Sequence, residues 1–183
     1  MNKTQNNASK GSVVSDSKAA KAAIKSLIVD LASKDGIVRI KARRELVAYK
    51  KRSVAPLVRA LSNEKDWVRW EAAKALSQIG SSESIKALLV ALEDNMFDVR
   101  WLAAEGLIRI GRKTVVPSLK VLIRHPDSYW LREGIHHVLH DVNRGNLDKT
   151  LRPVLTALEG PEPSLEAPQA AQAAIYALAQ KSG

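Results

Sequence analysis

Four histidines fall between residues 125 and 140, and His136 and His140 stand four apart, the spacing that puts two imidazoles on one helix face as a metal pair requires. A third ligand would have to come from Asp141 or Glu133. There is no HExxH pattern and no cysteine, so thiolate metal sites, disulfides and cysteine nucleophiles are all excluded. His136 also occupies a position held by alanine in two related segments, which favours packing between helices over metal binding. No metal, cofactor or catalytic constellation is expected. A second candidate is aromatic: Trp67, Trp70, Trp101 and Trp130 are four indoles in a chain with one phenylalanine. They could wall a planar ligand or anchor a partner, or simply fill gaps in a core, which the burial habit of large aromatics favours.

The third candidate is charge. The formal net charge is +10, and residues 1–92 hold 18 Lys+Arg against 8 Asp+Glu while residues 93–183 hold 11 against 11. Residues 34–74 alone carry twelve basic side chains against five acidic ones. A field of this sign attracts polyanions and acidic protein surfaces. Arg43, Arg44, Lys50, Lys51, Arg52 and Arg59 are the expected contacts in that half, joined by Lys86 and Lys120, with Trp70 and Trp101 as aromatic anchors. Phosphate binding without base readout would need nothing more.

These residues are positioned by a repeat. Asp66-Trp67-Val68-Arg69-Trp70-Glu71-Ala72-Ala73-Lys74-Ala75-Leu76 returns as Asp98-Val99-Arg100-Trp101-Leu102-Ala103-Ala104-Glu105-Gly106-Leu107, and Arg39, Arg69, Arg100 and Arg132 recur 30, 31 and 32 residues apart. Such a period predicts a solenoid of stacked two-helix units. First (A) helices are expected over about 38–49, 67–79, 98–110, 129–142 and 167–180, and second (B) helices over about 53–62, 84–93, 114–124 and 150–159, with 18–31 a leading B helix. Ser53, Ser84, Thr114 and Thr150 are expected as B-helix N-caps, Asp66 and Asp98 as A-helix N-caps, and Gly80 and Gly111 as C-terminal caps. Arg43, aligned with Ala73 and Ala104, is expected to meet water because no A helix precedes it. The repeat arginines are expected to bridge turn carbonyls and aspartates of neighbouring units.

Residues 1–17 are polar and expected to form a disordered tail ahead of a single domain over 18–183. Residues 143–149 and 160–164 are expected to be loops. No secretory signal or apolar membrane span is recognisable, so a cytoplasmic protein without a membrane partner is expected.

The pattern D-x-V-R-x-x-A-A-x-A-L-x-x-I-G followed by a V/I-x-P/A-L helix resembles the HEAT-like repeats named after phycobilisome lyases, over about residues 18–180. The resemblance implies an all-α, right-handed solenoid of about four repeats with terminal half-repeats, A helices on the convex face and B helices on the concave one. Functions in that family span bilin lyases and chaperones, a di-iron hydroxylase and many adaptors. The hydroxylase builds its centre from His-Glu pairs after the repeat arginine; here those positions read Ile40-Lys41, Trp70-Glu71, Trp101-Leu102 and Glu133-Gly134, so that activity is not implied. A non-enzymatic scaffold binding an acidic protein surface is the leading expectation, with nucleic-acid binding through the basic half and a bilin lyase or chaperone-like role as alternatives.

Overall fold

A computed structural model describes the backbone of residues 5–143 and 147–180, and the side chains from residue 18 onward within those ranges. Among the described residues there are helices and no strands: α1 (Gln5–Asp30), α2 (Gly36–Ala48), α3 (Lys51–Ala60), α4 (Asp66–Ile79), α5 (Ile85–Ala91), α6 (Phe97–Ile110), α7 (Val115–Arg124), α8 (Tyr129–Val142), α9 (Asp148–Glu159) and α10 (Pro163–Gln180). Short 3₁₀ turns, Ser82–Ser84 and Gly111–Thr114, lead into α5 and α7. No helix among them is long and apolar enough to cross a membrane.

The A helices α2, α4, α6 and α8 stack in one layer, and α1, α3, α5 and α7 form the second, each B helix packing against an adjoining A helix. The chain is an all-α solenoid. Its core repeats with the sequence: Leu46, Leu76, Leu107 and Leu139, seven residues after each repeat arginine, are all fully buried. A leucine recurring with the unit buries one continuous apolar seam that no unit could close alone. The end of the array shows at the residue before the arginine, where Val68, Val99 and Leu131 are buried but Val38 is 36% exposed, there being no A helix in front of α2.

Several expectations are corrected. Ser84 and Thr114 do stand at the N-cap positions of α5 and α7, but their hydroxyls and that of Ser53 make no capping bond; they are buried and donate to the Lys50, Ser81 and Gly111 carbonyls at 2.7–2.8 Å, and Ser53 also to Leu46. A buried hydroxyl must donate to some acceptor, and the carbonyl three residues back is nearest. Asp66 and Asp98 lie in the first turns of α4 and α6, whose N-caps are Lys65 and Met96. Gly80 does end α4 in the left-handed conformation, φ 63°, while Gly111 has φ 76° with an extended ψ. The first helix begins at Gln5, upstream of the expected start; residues 1–4 of the expected tail and Arg144, Gly145 and Asn146 of the expected loop lie outside the described residues. The last helix begins at Pro163, where proline loses no intrahelical bond. It packs chiefly on α9 and α7 rather than on α8, so it completes the B layer instead of extending the A layer.

Arg43 does not meet water. Its Nη1 donates to Glu71 Oε2 at 2.8 Å, with side-chain exposures of only 12% and 5%. Arg39 Nε lies 3.6 Å from the other carboxylate oxygen, and the guanidinium of Arg43 covers the Trp70 ring at 5.4 Å. The next unit has Leu102 where this one has Glu71, and both following units have alanine in place of Arg43. Glu71→Leu is therefore expected to cost about 3 kcal/mol by stranding Arg43, and adding Arg43→Ala should recover most of it. Chemical denaturation of both single variants and the double variant measures the coupling; additive losses would show that the pair contributes nothing.

Candidate functional site

Each A helix enters from a loop that its own arginine holds. Arg39 donates to the Ser33 and Lys34 carbonyls, Arg69 to those of Asn63 and Glu64, Arg100 to those of Asp94 and Asn95, and Arg132 to that of Pro126, all within 3.2 Å. Arg69 also reaches the next unit, clasping Asp94 through Nε at 2.7 Å and Nη2 at 3.1 Å. The Asp94 carboxylate, through that hydrogen bond, holds the Arg69 guanidinium above its ordinary pKa despite partial burial.

Among the described residues Arg100 has no such carboxylate. Its guanidinium instead lies 3.9 Å from the Trp130 ring centre and 5.7 Å from that of Phe97. Stacking on indole gives the cation a partner without an anion, and it splays the aromatic ends of α6 and α8 around an open groove of about 490 Å³. Trp101 stacks on His137 with ring centres 4.8 Å apart and Tyr129 meets Trp130 edge-on at 4.9 Å, while Ala104 and Gly134 keep the floor low. Phe97, Trp101, Tyr129 and Trp130 are between 48% and 62% exposed. Those tryptophans do not simply fill gaps.

Trp70 lies elsewhere. It is partly buried and lines a smaller recess of about 330 Å³ between α2 and α4 with Trp67, Arg39, Arg43 and Glu71. Trp70 and Trp101, the two expected aromatic anchors, thus lie in different grooves, and the fuller one adds Phe97, Tyr129, Arg100 and His137, none of which stood out as aromatic-site residues in the sequence. Position after the arginine found Trp101, but Phe97 and Tyr129 lie three residues before it, a register visible only once the helix starts are known.

The histidines pair with carboxylates one by one. His136 lies 2.8 Å from Glu159, His137 3.5 Å from Glu105 and His140 3.1 Å from Asp141, and the rings of His136 and His140 stack 6.2 Å apart. His136 is half-buried rather than sealed like Ala73 and Ala104, and Glu159 of α9 covers it. Among the described residues no three His, Asp or Glu side chains converge to hold a metal ion.

The basic candidates divide into engaged and free. Arg43 is held by Glu71, and Lys51 by Glu83 at 2.8 Å, whose hydrogen bond raises the lysine pKa. That second pair is exposed and screened, so it adds little to stability. Arg44, Lys50, Arg52, Arg59, Lys86 and Lys120 are exposed. Lys86 and Lys120 come together in a groove of about 580 Å³ between α5 and α7.

In comparison with known protein families, residues 24–96 match the family described as HEAT repeats. The matched stretch and the all-helical solenoid together support a HEAT-like repeat protein. No match was found among curated proteins.

Because Trp101 is 48% exposed, Trp101→Ala is expected to cost about 2 kcal/mol, roughly half the loss at a buried tryptophan, and to leave the fold intact. Urea denaturation measures the cost, and acrylamide quenching of the remaining indoles checks the exposure of Trp130.

Proposed function

We propose that the protein is a non-enzymatic scaffold that holds another protein, working in the cytoplasm, with the α6–α8 groove as its aromatic anchor and its free cations directed at acidic partner surface. HEAT repeats are in general protein-interaction scaffolds, and solenoids present extended faces for that purpose. The observation that carries the reading is the half-exposed cluster of Phe97, Trp101, Tyr129 and Trp130 in one groove. An exposed aromatic patch of this kind is the composition of an interface core, and tryptophan, tyrosine and arginine are enriched at binding hot spots. The three histidines of α8 in and beside that groove each lie against a carboxylate.

The test is affinity purification of the full chain and of a Trp101→Ala, Trp130→Ala variant that retains the wild-type helical signal. A protein partner captured by the wild type and lost from the variant, and held at physiological salt, is the expected result. Recovery of nucleic acid instead, with affinity falling on a log–log slope of about −0.9 per phosphate contacted on duplex DNA, would replace the scaffold reading with nucleic-acid binding. A coloured, planar ligand co-purifying with the wild type alone would favour the bilin lyase or chaperone-like role that the phycobilisome-lyase resemblance implies. Elemental analysis should find no stoichiometric iron or zinc; one metal per chain, lost on His136→Ala or His140→Ala, would restore an enzymatic reading.

A further inference from the structure

The B layer carries a second surface that the aromatic groove does not touch. Aligning the B helices on Ser53, Ser84 and Thr114, and on Ile24 with Ile85, brings Val29, Arg59, Val90 and Lys120 to one register position on α1, α3, α5 and α7. All four are exposed, Val29 at 66% and Val90 at 68%. Apolar and cationic side chains therefore alternate from helix to helix across the layer. Val90 stands on the ridge between two grooves, about 610 Å³ between α3 and α5 and about 580 Å³ between α5 and α7, and it and Lys86 line both.

The charge of the second groove is positive in balance. Of its two carboxylates, Glu83 is ion-paired with Lys51 at 2.8 Å, while Glu93 accepts from the Ser128 hydroxyl at 2.5 Å and keeps its charge. Lys86, Lys120 and Arg124, exposed on the same groove, have no hydrogen-bond or ion-pair partner among the described residues. Beneath them Ile85, Leu89 and Val121 make an apolar floor. Three cations against one carboxylate that no cation neutralises, around an apolar trough, are complementary to a segment that is apolar on one face and acidic on its flanks. We propose that the α5–α7 groove and the Val90 ridge dock an acidic amphipathic helix, its apolar residues on Val90, Leu89 and Val121 and its carboxylates on Lys86, Lys120 and Arg124.

The proposal rests on the protein-binding reading but uses the opposite helix layer, so it can fail while the aromatic groove still holds a partner.

The experiment is fluorescence anisotropy with a labelled 18-residue amphipathic peptide, leucine along one face and glutamate along the other, added to the full chain. Binding should weaken at least about tenfold in a Lys86→Glu, Lys120→Glu variant and hardly change in an Arg44→Glu, Arg52→Glu variant of equal net charge. Exchanging the peptide leucines for serine, or making Val90→Ser in the protein, should each cost affinity, the peptide change by about tenfold or more. Circular dichroism and thermal unfolding confirm that these exposed-site variants fold as the wild type does. Absence of peptide binding, equal loss in both charge variants, or indifference to the leucines would each overturn the proposal, the last two by showing only diffuse charge attraction. Tighter binding of a 20-base-pair duplex DNA that depends on Lys86 and Lys120 would overturn it in favour of a polyanion site.

Discussion

Every A helix is held at its start by an arginine that folds back onto the carbonyls five and six residues earlier, with Arg132 keeping the contact six back. Loop carbonyls pulled out of water need donors, and a guanidinium supplies several in one plane. The same residue that satisfies the loop also fixes the angle at which the helix leaves it, so the units stack in phase. What differs between units is the arginine's outward face. Arg69 finds Asp94 and Asn95 across the junction; Arg132 finds Ser164 at the start of α10; Arg100 finds only the rings of Trp130 and Phe97. The aromatic groove is thus a consequence of the structural clamp, at the one A–A junction where indole replaces a polar partner.

Close stacking sets a second constraint, and it falls on side-chain volume. Ala72 and Ala73 on α4 and Ala103 and Ala104 on α6 are all buried, and a Cβ at Gly106 would lie 2.9 Å from Leu88 Cδ1 and 3.3 Å from the Ser77 backbone. Where the small residue is replaced by a large one, the array compensates locally. Arg43 stands in the alanine position of α2 and is matched by Glu71 in place of leucine. His136 stands there in α8 and is met by Glu159. Both exceptions sit at the ends of the A stack, Arg43 turning onto α4 and His136 toward α9.

The helix order and core were open to sequence reading because they repeat: a buried leucine seven residues after each arginine and a buried alanine or isoleucine three after it define the helices without any knowledge of contacts. The helix pairing at the C-terminal end was hidden. Residues 163–180 have lost the arginine and aspartate signals, and an alanine-rich helix such as Ala167, Ala171 and Ala174 define fits either layer equally well by periodicity. The Ser53 and Thr114 hydroxyls were misread for a related reason, since a serine near a helix start looks the same in sequence whether its oxygen accepts from the helix or donates backward. Arg43 and Glu71 were recoverable: two departures from the repeat consensus, of opposite charge and on adjacent A helices, are what a compensating pair looks like. The aromatic site was half visible, because Trp101 and Trp130 occupy different repeat positions and meet only through the side chains of Phe97, Arg100 and Tyr129 between them.

The formal charge of +10 also changes meaning once pairs are assigned. Arg39, Arg43 and Arg69 serve carboxylates or carbonyls within the A layer, and Lys51 serves Glu83, so part of the basic excess of the N-terminal half is internal to the array and contributes no localised free cation for a partner. The free cations Arg59, Lys86, Lys120 and Arg124 are carried by α3, α5 and α7, while the exposed indoles Trp101 and Trp130 are carried by α6 and α8. The cations of the α5–α7 groove and the exposed indoles are thereby carried on different layers, while Lys41, Arg44 and Arg109 stay exposed on the A helices α2 and α6. A long-range field steers encounter, whereas desolvated aromatic contact holds a complex together; with the α5–α7 groove and the aromatic groove on different layers, the proposed acidic helix and an aromatic-anchored partner need not compete for the same surface.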